Sequence, residues 1–132
     1  MNFAIISAGS NINPEENLEK ARTVFQKEQR LVASAIPRAT KPVGFAEQPD
    51  FLNTVYFIET GLDVTSLNAY CKAVERRLGR VRGPNKFGPR AIDLDIAVFN
   101  GAVIDNDVYE REFLRDLILE VAPGMKDALV KK

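Results

Sequence analysis

The chain has 132 residues, 45% hydrophobic and 27% charged, with lysine plus arginine equal to aspartate plus glutamate at 18 each. That length suits a single domain, 1–132, large enough to bury a core without covalent staples, and the neutral balance argues against a nucleic-acid partner, which calls for a basic excess. One cysteine, Cys71, and no histidine leave neither an internal disulfide nor a Cys/His zinc site, and a reducing cytoplasm fits.

MNFAIISAGS (1–10) is apolar but has no basic leader, and no run is long enough to cross a bilayer, so neither export nor a membrane partner is expected. Within it FAIISA (3–8) reads as a buried strand ending at Gly9-Ser10-Asn11. Asn13-Pro14-Glu15-Glu16 reads as a helix start, with Asn13 as cap, Pro14 at the first helical position and Glu16 at capping-box spacing. Leu18, Ala21, Val24 and Phe25 then form one apolar stripe, predicting a helix over about 14–28.

LVASAI (31–36) is a second strand, followed by a polar, proline- and glycine-containing loop from Pro37 to Asp50, of a length usually kept for function. FLNTVYFIET (51–60) alternates as a strand, and Asp63 caps a second helix carrying Leu67, Tyr70, Cys71, Val74 and Leu78 and closed by Gly79. An arginine-rich loop over 80–90 leads to the strand AIDLDIAVF (91–99) and a turn at Asn100-Gly101. A hydrophobic piece, Phe113 to Val121, ends at Ala122-Pro123, and the tail to Lys132 is weakly specified. The order strand, helix, strand, strand, helix, strand is the ferredoxin-like α+β pattern, with the helices on one face of an antiparallel sheet and the other face and its loops left for function.

Two constellations carry chemistry. Between Lys72 and Arg90 lie Lys72, Arg76, Arg77, Arg80, Arg82, Lys86 and Arg90 against one acid, Glu75, a local anion site in a neutral chain. Arg76 and Arg77 also suit the solvated face of a helix. Asp93 and Asp95, two apart on a strand, leave the same face of the sheet, while Ile92, Leu94 and Ile96 point into the core. Two carboxylates on one face repel unless a cation lies between them, and hard oxygen ligands beside arginines suggest magnesium and polyphosphate, the parts that phosphoryl transfer uses. A pair of exposed charges on a half-buried sheet is the plainer alternative. No GxxxxGK[ST] motif is present, so any nucleotide is held by side chains. Asn53 offers donors and an acceptor, and Phe51, Phe87 and Phe113 suit either ordinary core or the flat walls of a heterocycle pocket.

The segments AGSNINPEENLEKA, TKPVGFAEQPDFLNTVYFIET, VERRLGRVR, FGPRAIDLDI and EVAP, in this order over residues 3 to about 123, closely resemble the 6-hydroxymethyl-7,8-dihydropterin pyrophosphokinases of folate biosynthesis. The resemblance implies transfer of pyrophosphate from ATP to the pterin alcohol. It makes Asp93 and Asp95 the ligands of two magnesium ions, one bridging the α- and β-phosphates and one the β- and γ-phosphates. It gives Arg80, Arg82 and Arg90 to phosphate handling, with Arg80 and Arg90 catalytic beside the aspartates, and sets Glu75, Arg82 and Arg111 at the ATP. Thr40, Val43, Phe51, Asn53, Phe87 and Phe113 fall where the family lines its pterin pocket. Small-molecule substrates and a monomer are expected.

The departures from the family are local. Phe87 replaces a tryptophan, Lys41 replaces the second residue of a Thr-Pro-Pro turn, and Ile104 passes to Arg111 through a shortened loop without the usual Pro-His pair. Tyr109 is the nearest substitute for it. A paralogue that binds pterin or nucleotide without turnover, or with altered specificity, is the alternative they motivate.

Overall fold

A computed structural model describes residues 1–41, 47–79 and 91–130. The elements are β1 (Asn2–Ser10), α1 (Pro14–Glu28), β2 (Arg30–Ser34), β3 (Arg38–Thr40), β4 (Phe51–Thr60), α2 (Val64–Arg77), β5 (Asp93–Phe99), β6 (Ala102–Val103), α3 (Asp107–Glu110), α4 (Glu112–Val121) and a 3₁₀ helix, Pro123–Leu129. Among the described residues one antiparallel sheet runs β2-β4-β1-β5-β6, with β3 also on β4, and α1 and α2 pack on one face of it in the α+β, ferredoxin-like arrangement.

The alternation read in the sequence decides which residues each face receives. Ala4, Ile6, Ala8, Tyr56, Ile58, Leu94 and Ile96 point toward α1 and α2, meeting Leu18, Ala21, Phe25, Leu67, Cys71 and Val74 in the main core. Tyr56 is fully buried, and its hydroxyl donates to Leu18 O of α1 at 2.7 Å, a polar tie between sheet and helix. Tyr56→Phe removes that hydrogen bond and is expected to lower unfolding stability by about 1 kcal/mol in a denaturant titration. Burial pushes the Cys71 thiol up to about 12, so it is packing rather than a nucleophile.

The opposite face is not left open as the element order suggested. Phe113, Leu114, Leu117, Ile118 and Val121 recur at helical spacing, and α4 together with Leu129 of the 3₁₀ helix covers Ile5, Val55, Ala97 and Val98 in a second core. That cover stops short of the far ends of β1, β4 and β5, where the sheet meets solvent.

Two local expectations change. Asn13 sits in the left-handed region at φ 42° and makes no capping hydrogen bond. A cap needs extended backbone to aim its side chain at the first amides. Here Asn17 ties the turn instead, donating from Nδ2 to Ile12 O at 2.6 Å. The long loop after β2 contains β3, which pairs Arg38 with Asn53 and Thr40 with Phe51. Asp63 caps α2 as expected, accepting from the Ser66 amide at 2.8 Å. Asn100 and Gly101, at φ 49° and 81°, make the tight β5–β6 hairpin.

Candidate active site

The uncovered end of the second face is built from two rows across the sheet. Asn53, Gly9 and Asp93 form one, and Val55, Ser7 and Asp95 the next. Side chains along each row leave the same face, so the two aspartates flank β1 and open into a cleft of about 230 Å³ that Ser7, Gly9, Phe51, Asn53, Arg111 and Phe113 also line. Gly9 keeps the floor low. A Cβ there would lie 3.1 Å from Asn53 Oδ1.

At one end of the cleft Asn53 donates from Nδ2 to Thr40 Oγ1 at 2.6 Å, which fixes its amide and turns Oδ1 toward Gly9. Thr40 pairs with Phe51 there, and both line the cleft together with Phe113. Asn11, almost fully buried just past β1, donates from Nδ2 to Gln48 Oε1 at 2.7 Å and to Pro49 O at 3.2 Å, anchoring the approach to β4. The sequence offered no pattern for Asn11, since its partners lie more than 35 residues away.

At the other end Asp95 is half-buried. Burial, and then the neighbouring charge of Asp93, raise its carboxyl above the usual carboxylate range, with Lys72 opposing them. Lys72 Nζ lies 3.2 Å from Asp95 Oδ1, 3.0 Å from Glu75 Oε2 and 2.8 Å from Leu94 O. Burial works against the Lys72 charge, but Asp95 and Glu75 outweigh it and hold the ammonium above its ordinary value. Lys72, counted in the sequence with the arginines of an anion site, is thus turned to the carboxylates.

Glu75 is 1% exposed and does not line the cleft. Its Oε2 accepts from Lys72 and, at 2.7 Å, from the Leu94 amide, so it braces β5 against α2. Arg111 reaches the cleft from the start of α4 and pairs with Asp107 at 3.5 Å. The segment between Ile104 and Arg111 brings Asp105 and Asp107 in beside Asp93. Burial chiefly raises the Asp105 carboxyl, with the charges of Asp107 and Asp93 adding to it and the Asp107 amide and Arg111 opposing. Tyr109 does not line the cleft. Val43, Arg80, Arg82, Phe87 and Arg90 lie outside the described residues. Of the expected site, the structure gathers Thr40, Phe51, Asn53, Asp93, Asp95, Arg111 and Phe113 around one cleft and sets Glu75 behind it.

Paired carboxylates, an oriented amide, aromatic walls and a cation at the rim can bind a polar heterocycle beside a charged group. Comparison with known proteins adds the chemistry. A family model described as 7,8-dihydro-6-hydroxymethylpterin-pyrophosphokinase matches residues 5–123. The chain is 34% identical to the 2-amino-4-hydroxy-6-hydroxymethyldihydropteridine pyrophosphokinase of Haemophilus influenzae, over 92% of this chain and 82% of that protein. It is 32% identical to the Bacillus subtilis protein of the same name, over 91% of this chain and 78% of that one. It also matches the "Folic acid synthesis protein fol1" of Schizosaccharomyces pombe at 32% identity over 93% of its own length, spanning 18% of that longer protein. The chain belongs to the 7,8-dihydro-6-hydroxymethylpterin-pyrophosphokinase family.

Proposed function

We propose that the chain transfers the pyrophosphoryl group of ATP to the hydroxyl of 6-hydroxymethyl-7,8-dihydropterin, releasing AMP and the pterin diphosphate. The observation that carries this reading, beside the family, is that the carboxylate pair and the amide-and-aromatic pocket open onto the same cleft.

The donor set fits magnesium. Asp93 and Asp95 are hard oxygen ligands on one face, flanking Ser7 and side-chain-free Gly9, and a magnesium ion keeps waters and takes phosphate oxygens for its remaining positions. Asp93 and Asp95 would hold the two ions expected here, which would supply charge neutralisation at the transferring group. The protein's part is orientation. Asn53 Oδ1, beside Gly9, accepts from the heterocycle, and Phe51 and Phe113 flank its plane. Holding the hydroxyl in line with the β-phosphorus converts an encounter into a positioned step. Arg111 is assigned to ATP, Arg80, Arg82 and Arg90 to the phosphates, and Val43 and Phe87 to the pterin. Glu75, which the resemblance sets at the ATP, acts through Lys72 and β5. The 132 residues work as one domain, a cytoplasmic monomer acting on small molecules, with no nucleic-acid partner.

The test is AMP release from ATP and the pterin alcohol, which should require both the pterin and magnesium. The competing reading, a binder without turnover, is favoured by a further acid, Asp107, in the lining of the cleft with Arg111. It predicts calorimetric pterin binding with no AMP formed. Gly9→Ala sets a methyl against Asn53 Oδ1 and is expected to raise KM for the pterin roughly tenfold while leaving KM for ATP within about twofold, a hydrogen bond's worth of displacement at one end only.

A further inference from the structure

Lys72 does not behave as part of an anion site. It reaches from α2 beneath β5, its side chain 23% exposed, and its ammonium touches Asp95, Glu75 and the Leu94 carbonyl at 2.8–3.2 Å. All three are acceptors, one of them a carboxylate that also lines the cleft. The site is therefore built with a positive charge already lying against the metal-binding pair.

We infer that Lys72 is a resident counter-cation for Asp95, which weakens the hold of the aspartate pair on free divalent metal and so makes metal binding depend on the polyphosphate that arrives with it. The inference rests on the reading of Asp93 and Asp95 as metal ligands. Its physical content is simple. An ion entering between the two carboxylates meets a fixed unit charge a few ångströms away. Without nucleotide the carboxylates of the cleft, Asp93 and Asp95 with Asp107 also in its lining, draw it in against that charge. With nucleotide the phosphate oxygens add their own negative charge, and the repulsion from Lys72 is outweighed. Lys72 also holds Asp95 in place before the metal arrives, since its other two contacts anchor the ammonium to α2 and β5.

The test is calorimetric titration of Mn²⁺ into nucleotide-free protein, comparing wild type, Lys72→Gln and Lys72→Arg. Gln removes the charge but keeps an amide donor for Glu75 and Leu94 O, and Arg keeps the charge. Removing a unit charge at this range is expected to tighten Mn²⁺ binding by about tenfold in Lys72→Gln, with Lys72→Arg staying at the wild-type value. Equal or weaker binding in Lys72→Gln overturns the inference. Repeating the titration with a non-hydrolysable ATP analogue, beside Asp95→Asn, separates the two claims. If wild type takes up metal no better than Asp95→Asn, the metal reading itself fails. If that difference stands while Lys72→Gln is unchanged without nucleotide, only the counter-cation fails. A measurement on the wild type covers a variant that does not fold: the Lys72 ammonium protons should be protected enough to be seen by ¹⁵N NMR near neutral pH, and fast exchange of that signal contradicts the inference.

Discussion

Alanine at both Asp93 and Asp95 is expected to lower turnover by at least on the order of a thousandfold while leaving the protein folded. Both side chains open into the cleft, whereas the apolar contacts of β5 are made by Leu94 and Ile96 on the other face and by Ala97 and Val98 further along the strand. On the proposed mechanism the substitution removes the ligands of a charge-neutralising metal at the transferring group, and electrostatic effects of this kind are commonly the largest single contribution to such a rate. Folding is not expected to depend on the pair. Burial and the charge of Asp93 already act against the ionised form of Asp95. Steady-state AMP release and a thermal melt on the same preparation check both halves. A double variant with near-native turnover would remove the aspartates from the mechanism.

Glu75→Ala should give the opposite phenotype, a loss of stability first. The carboxylate is buried and takes both the Lys72 ammonium and the Leu94 amide. Truncation leaves a buried amide and a partly buried ammonium short of a partner, which costs about 3 kcal/mol and lowers the melting midpoint by on the order of 10 °C in a chain of this size. Glu75→Gln keeps an acceptor for the amide and is expected to lose about half as much. The exposed pair Lys20–Glu16 is the contrast, since breaking it should change stability by no more than about 0.5 kcal/mol. Chemical denaturation of the three variants orders them, and a Glu75→Ala protein as stable as wild type would refute the bracing role.

The elements that the sequence made legible are those whose signals are local. β1, β4 and β5 alternate or run apolar, α2 begins at a side-chain cap and ends at Gly79, and Asn100-Gly101 carries the backbone a tight hairpin requires. Period two on β5 was enough to put Asp93 and Asp95 on the face away from Leu94. What stayed hidden depends on distant partners. Arg38–Thr40 becomes a strand only because β4 is beside it. The second core forms because α4 folds back over Ile5, Val55 and Val98, which no pattern within 113–121 specifies. Lys72 was misread for the same reason. Spacing along α2 shows which side chains share a face, but not that β5 brings a carboxylate to meet one of them. Asn13 failed as a cap because its left-handed backbone turns the side chain away.

³¹P NMR of a complete reaction with magnesium distinguishes transfer of a pyrophosphoryl group from transfer of a single phosphoryl group to the pterin alcohol. AMP and a pterin carrying a diphosphate are expected, in equal amounts and only when both substrates are present. ADP with a pterin monophosphate, or ATP left intact beside a folded protein that binds the pterin, would contradict the proposed transfer.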